Sequence, residues 1–326
     1  MPAPIRLQFL GYATPPIAWP LLWGLAGVLA VLTVGALAAA LLPRLRPGHD
    51  YTNLRQRVNS WWVMVALLAL ALALGWQATL LLFTAISFLA LREFLSLAPA
   101  RREDRLIILG SYLVVPMSYG LVAINEYGIY LVFVPVWVFL ITPFLMSMLG
   151  ETRNYLQRAS SFHWGQVTCV YAIGFTVWLM RTPAGEPMPA GPAGLVFLLL
   201  LATEANDVAQ YCWGKLFGRH RIMPKVSPNK TWEGFLGGWA TTAALIWFVG
   251  PVFAPLAGLN LAIMAVVLPL AGFAGDVTMS AVKRDIGVKD TSQLIPGHGG
   301  ILDRIDSLTF TTPLYFHLMT FFALHR

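Results

Sequence analysis

The sequence predicts an all-α, polytopic transmembrane helical bundle of about nine to ten spans. Three observations carry that expectation. The 326 residues are 57% hydrophobic and only 11% charged, against about 25% charged in soluble domains, and mean hydropathy is +0.67. The apolar residues gather into runs of about 20, the length that crosses a hydrocarbon core. The basic residues fall almost entirely in alternate connecting segments, as the positive-inside rule requires.

The runs follow in order. The first, 17–42, places Pro20 in its first turn, where a missing backbone N–H costs little. Its length, preceded only by Arg6, argues against a cleaved leader. Run 61–92 is too long for one span, and Gly75-Trp76-Gln77 breaks it into two short helices. Further spans are predicted at 105–123, 128–149, 163–180, 194–213, 234–256, 260–282 and 308–324. One integral membrane domain, 1–326, is the simplest division, with 1–190 a helical bundle part and 191–326 the part carrying chemistry. Cys169 and Cys212 both lie in apolar runs and read as small buried hydrophobes, with no disulfide implied.

With the N-terminus outside and ten crossings, the inner segments hold all but three of the 22 basic residues. They are Arg44, Arg46, Arg55 and Arg57; Arg92, Arg101, Arg102 and Arg105; Arg153 and Arg158; Lys215, Arg219, Arg221, Lys225 and Lys230; and Lys283, Arg284, Lys289 and Arg304. Arg6, Arg181 and Arg326 fall outside. The net charge of +7 is thereby explained by membrane orientation rather than by nucleic-acid binding.

The last two inner segments differ from the others, because their charges are mixed with Gly, Pro, Ser and carboxylates. In the first, Asp207 sits near the inner end of an apolar helix with Glu204 one turn deeper. An ionisable group at that depth faces a polar cavity, a partner or a metal. Pairing of Asp207 with Lys215 or Arg219 is the plainer alternative, and an interhelical hydrogen bond is the favoured role of Glu204. Asp207, Gln210, Tyr211 and Gly214 share one helix face. Ser227-Pro228-Asn229-Lys230-Thr231 reads as a turn, bent at Pro228, that feeds the next helix. Backbone N–H groups at that helix start, with Lys230, suit an anion, or the segment is simply a helix cap.

In the second segment Asp276, Ser280, Lys283 and Arg284 form one helical stripe. Asp285, Lys289, Asp290, the turn Pro296-Gly297-His298-Gly299-Gly300 and Asp303-Arg304-Ile305-Asp306 follow. If helical, Asp303 and Asp306 face the same way. Carboxylates suit a hard cation such as Mg²⁺; lysine and arginine with bare glycine N–H groups suit phosphates. His298 is a candidate phosphate donor, whereas His49, His163, His220, His317 and His325 show no metal-ligand spacing.

The run Ser280-x-Val282-Lys283-Arg284-x4-Lys289-Asp290-x-Ser292-x2-Ile295-Pro296-Gly297-His298-Gly299-Gly300-Ile301-x-Asp303-Arg304-Ile305-Asp306 resembles the signature of phosphatidate cytidylyltransferases, the CDP-diacylglycerol synthases. The Asp207 segment and Ser227 to Gly234 resemble that family's two other blocks, in the expected order. Ser292 stands where many members carry Gly, and Asp207-Val208-Ala209-Gln210-Tyr211 marks a divergent branch. The resemblance implies transfer of CMP from CTP to a phosphatidate-type lipid at the cytoplasmic face of the inner membrane. It implies a divalent cation, taken as Mg²⁺ with a monovalent cation as a further option, on Asp276 and Asp303; on their position in the same segments Asp306 and Asp207 are added as outer or additional ligands. Lys283 and Arg284 then join Asp276 and Asp303 in the catalytic set, and Ser227, Lys230, Lys289, Asp290, His298 and Arg304 bind substrate. Expected partners are CTP, phosphatidate or a related lipid phosphate, membrane lipids and a second copy in a homodimer, with no nucleic acid. A CTP-dependent lipid kinase, or a transferase acting on a different lipid phosphate, is the alternative chemistry. The enzymatic reading requires Asp276 and Asp303 to be near enough to share an ion.

Overall fold

Apolar runs become helices nearly one for one. The computed structural model describes residues 8–9, 12–13, 17–45, 50–98, 104–182 and 188–324. Arg6, Arg46, His49, Arg101, Arg102, His325 and Arg326 lie outside the described residues. A two-residue hairpin, β1 (Gln8–Phe9) and β2 (Tyr12–Ala13), precedes the first helix.

The long helices are α1 (Trp19–Leu45), α2 (Thr52–Leu74), α3 (Trp76–Leu97), α4 (Arg105–Ala123), α5 (Tyr127–Met148), α6 (155–180), α7 (Gly191–Phe217), α8 (Trp232–Phe253), α9 (Gly258–Asp285) and α11 (Leu308–Leu324). Eight of them have at least 18 residues and span-grade hydropathy. The other two, α6 and α11, are the predicted spans 163–180 and 308–324. Between α7 and α8 lies an antiparallel hairpin, β3 (Arg221–Met223) and β4 (Ser227–Thr231), and a one-turn helix α10 (Leu302–Ile305) precedes α11.

Gly75 separates α2 from α3 at φ 100°, ψ −167°, a conformation that L side chains rarely adopt. Five-residue-repeat turns interrupt α5 at Phe133–Val138, where Pro135 cannot donate to the ladder, and α6 at Val167–Tyr171. Some of the polar groups buried among these helices pair across the bundle: Ser87 Oγ and Tyr119 Oη are 2.7 Å apart, and Tyr130 Oη donates to the Tyr171 carbonyl at 2.7 Å, whereas the Ser118, Thr176 and Tyr315 hydroxyls have no protein partner among the described residues. Unpaired polar groups cannot be left to lipid. On α1, Val31 and Val34 are each about two-thirds exposed, an apolar face that lipid covers at no cost.

Two expectations need correction. Cys212 is exposed, not buried, because it lies on the outward side of the last turns of α7; Cys169 is buried. Arg158 is not a loop charge. Its side chain is buried at the start of α6 and forms a two-pronged pair with Asp104, whose Oδ2 accepts from Nε at 2.9 Å. A buried guanidinium is tolerable only when paired in this way.

Candidate active site

Helix direction alternates, so the ends of α3, α7 and α9 and the starts of α2 and α8 all come to one end of the bundle. That end is built from two carboxylate–lysine assemblies.

The first is set by α7, the β3–β4 hairpin and α9. The Ser227–Thr231 segment, read from sequence as a turn, is a strand paired with β3; Met223 lies opposite Ser227 and Arg221 opposite Thr231. It feeds a helix as expected, with Thr231 Oγ1 capping α8 by accepting from Gly234 N at 3.1 Å. Extended backbone projects Lys230 onto α9, where its Nζ donates to Asp276 Oδ2 at 2.5 Å and lies 4.9 Å from the Phe273 ring. Ser280 Oγ, one turn on, donates to Asp276 Oδ1 at 3.3 Å. Helix α8 lies close against α7 because Gly234 and Gly238 carry no side chain. A Cβ at Gly238 would stand 2.3 Å from Gln210 Cγ, and one at Gly234 2.8 Å from the Gln210 carbonyl. This contact leaves a cavity of about 180 Å³ lined by Asp207, Gln210 and Tyr211 from one face of α7, by Asn229 and Lys230 of the strand, and by Asp276. Asp207 Oδ2 accepts from Ser307 Oγ at 2.9 Å, while its Oδ1 is buried with no hydrogen-bond partner.

The second assembly centres on Lys283. Its Nζ donates to Asp303 Oδ1 at 2.8 Å and stands 3.6 Å from Asp306 Oδ2, so Asp303 and Asp306 do face the same way. Lys283 is within Coulombic reach of Asp276 as well, which joins the two assemblies. Asp306 is pushed up to about 6, first by burial and then by the negative charge of Asp276. Burial also acts to raise Asp303, but the Lys283 ammonium and the donors on its oxygens outweigh it and hold the group below the usual carboxylate range.

Those donors decide what the glycine turn does. Asp303 Oδ2 accepts from Gly300 N at 2.9 Å, Thr291 N at 2.8 Å and Thr291 Oγ1 at 3.0 Å. The Gly300 N–H is therefore engaged within the protein and not bare, contrary to expectation. Gly297 and Gly299 carry φ of 77° and 86°, which the turn Ile295–Gly299 requires.

A residue that the sequence reading passed over completes this loop. Glu93, at the inner end of α3 and buried, has four donors around its carboxylate, one of them the Thr291 hydroxyl whose single proton it shares with Asp303. Ser292 Oγ (2.7 Å) and Ile301 N (3.0 Å) reach Oε1; Leu302 N (2.9 Å) and Thr291 Oγ1 (3.1 Å) reach Oε2. Its signal was available, since a lone carboxylate ends an otherwise apolar run immediately after Arg92. Arg57 Nε and Ser60 Oγ of α2 also hold the turn, donating to the carbonyls of Gly297 (3.0 Å) and Pro296 (2.8 Å). The chemistry-bearing loop thus depends on residues from 1–190. Glu93→Gln replaces one acceptor with a donor facing donors, costing about 1–3 kcal/mol. It is expected to lower the thermal midpoint and to speed proteolysis within 291–302, read by mass spectrometry. Gly300→Ala is expected to act alike, because its Cβ would lie 2.3 Å from both Glu93 Oε2 and Thr291 Oγ1; overpacking costs about 1–3 kcal/mol.

The remaining candidates are placed as follows. Ser227 is half-buried at the start of β4. Arg284 turns away from Asp276 and braces the hairpin, donating to the Val226 and Val288 carbonyls, each at 3.3 Å. Lys289 and Asp290 are exposed on the segment after α9. His298 meets the edge of Trp61 at 5.9 Å between ring centroids, and burial, then Arg304 and Arg57, lower its pKa. Arg304 and Glu204 line a separate, apolar cavity. Among the described residues no three Asp, Glu, His or Cys groups converge as a ready-made metal cage. Oxygen donors are nevertheless of the type a hard cation takes, and such an ion ordinarily uses one or two carboxylates and completes its shell with phosphate oxygens. The unpartnered Asp207 Oδ1, beside Asp276, fits that requirement.

Comparison with known proteins identifies the family. Residues 55–322 match a family profile described as the cytidylyltransferase family. The chain is 38% identical over 297 residues to the uncharacterized protein YnbB of Escherichia coli (strain K12), covering 91% of this chain and 97% of that one. It is 41% identical over 160 residues to the phosphatidate cytidylyltransferase of Mycobacterium leprae (strain TN), covering 48% of this chain and 47% of that one. With the phosphatidate cytidylyltransferase of Haemophilus influenzae identity is 44% over 137 residues, covering 40% and 47%. The match therefore spans about half the length of these two enzymes. On the profile match across most of its length, with the membrane bundle and the signature residues gathered at one end, this chain belongs to the cytidylyltransferase family.

Proposed function

We propose that the protein transfers CMP from CTP to phosphatidate, giving CDP-diacylglycerol and pyrophosphate, at the cytoplasmic face of the inner membrane. The single observation that carries the reading is the joined pair of assemblies, Lys230–Asp276 and Lys283–Asp303/Asp306, at the bundle end where the basic residues gather. Cations there meet the phosphates of a nucleotide arriving from water, while the acyl chains of the second substrate stay in the bilayer.

An ionised phosphate oxygen of the lipid attacks the α-phosphorus of CTP; the new P–O bond forms as the bond to the β-phosphate oxygen breaks and pyrophosphate leaves. No side-chain base is required, and catalysis is positioning and charge stabilisation. Lys230 and Lys283 neutralise phosphate oxygens once these compete with the carboxylates they now touch. Asp276, with the free oxygen of Asp207 and with Asp306, would hold Mg²⁺, and the ion would supply neutralisation of the triphosphate. Asp303 presents Oδ1 to the same cluster while its Oδ2 holds the loop. Lys289, exposed on the segment after α9, is a further candidate contact for the nucleotide.

The test is turnover of α-³²P-CTP with a panel of lipid phosphates by purified protein in Mg²⁺, with products identified by mass. CDP-lipid and pyrophosphate are expected. CDP with a phosphorylated lipid would make the protein a CTP-dependent lipid kinase instead.

A further inference from the structure

Between the α2–α3 pair and the wall formed by α7, α10 and α11 lies a second cavity, of about 210 Å³. Met64, Leu68, Phe83, Leu200 and Leu308 line it, and Leu67, half exposed, also lines it and places its opening at the bundle's lipid-facing surface. At the inner end stand Trp61, edge-on to His298, and Arg304, with Glu204 the one carboxylate among the described residues of the lining. Arg304 Nε and His298 Nδ1 are both buried without a hydrogen-bond partner. Glu204 and Asp306 lie within Coulombic reach of Arg304, yet neither accepts from Nε. A guanidinium donor left unmade at the head of an apolar groove is costly unless a ligand completes it. Together they match an amphiphile: hydrocarbon along the groove, an anion at its inner mouth. The adjacent turn 295–301 is the one held between Glu93 and Asp303, so that mouth borders the Lys283 assembly.

We infer that this groove holds one acyl chain of the lipid-phosphate substrate, with its phosphate end presented to Arg304 and His298. The inference rests on the lipid-phosphate reading above, and it assigns the acyl subsite and the headgroup contacts within it. Bulk lipid, diacylglycerol or a helix of a second copy are the occupants it excludes.

The experiment uses the full chain in phosphatidylcholine vesicles with phosphatidate bearing a diazirine midway along one acyl chain. After irradiation, labelled peptides are mapped by mass spectrometry. Label is expected on 61–68 and 82–86. It should be competed by dioleoyl phosphatidate but not by dioleoylglycerol, and be reduced at least about tenfold in Leu68→Trp, which fills the groove. Met64→Trp is the second variant should the first fail to fold. In turnover, Leu68→Trp should lose dioleoyl phosphatidate but keep the short-chain dihexanoyl substrate. Label spread over the outward face of α1, or insensitive to both tryptophan variants, overturns the groove. Equal competition by dioleoylglycerol overturns the phosphate contact. Competed groove labelling without CDP-lipid from any lipid phosphate would sustain the groove and remove the reaction.

Discussion

Asp276→Asn is expected to abolish CTP-dependent product formation, by at least about a hundredfold, while leaving the protein folded. The side chain is about a quarter exposed; an asparagine Oδ1 still accepts from Lys230, and the Ser280 hydroxyl can turn to accept from the new NH₂. What it loses is the charge that binds a divalent cation. Asp303→Asn should behave differently. Whichever way the amide is oriented, its NH₂ faces either the Lys283 ammonium or the donors of Thr291 and Gly300. Unfavourable donor–donor contact there costs about 1–3 kcal/mol, so a lowered thermal midpoint should accompany its loss of activity. Parallel measurement of turnover and thermal unfolding in detergent separates the two. Full activity in Asp276→Asn would remove that residue from the cation site.

Lys283→Met is expected to have the largest combined effect. It removes the only ammonium, among the described residues, in contact with Asp303, whose side chain is 4% exposed, and with Asp306. Breaking a buried pair by deleting one partner costs about 3–5 kcal/mol, because the remaining charges are left uncompensated. Both turnover and the thermal midpoint should fall steeply. Lys283→Arg restores the charge with a different reach, and should recover the midpoint more fully than the turnover. If Lys283→Met melts like wild type, the second assembly does not stabilise the fold.

Much of the site was legible because its residues lie on regular helix. The Asp276–Ser280–Lys283 stripe and the Asp207–Gln210–Tyr211 face follow from the 3.6-residue period alone, and the structure keeps both. Arg284 was on the same stripe by spacing, yet it is drawn to the Val226 and Val288 carbonyls, which lie in segments that spacing says nothing about. Of the bare N–H groups expected of the glycine turn, that of Gly300 is taken by Asp303, and the next two, of Ile301 and Leu302, by Glu93, a carboxylate some 200 residues distant in sequence. The strand character of Ser227–Thr231 escaped notice because Pro228 reads as a bend, and only its antiparallel partner β3 makes it extended.

The chain by itself determined that it is a polytopic helical membrane bundle of about nine to ten predicted spans, eight of them long and apolar enough to cross among the described residues, with most helix ends placed within a few residues and the starts of α2 and α6 missed by eight or nine. Those properties depend on burial in lipid and on the period of the helix, both of which are local. Tertiary structure alone decided which donor each carboxylate receives. Glu93 became the holder of the glycine loop, Asp303 was divided between that loop and Lys283, and Asp207 kept one oxygen free. The physical reason is that a hydrogen bond requires approach to about 3 Å, and which helix ends come that close is fixed by packing across the whole bundle.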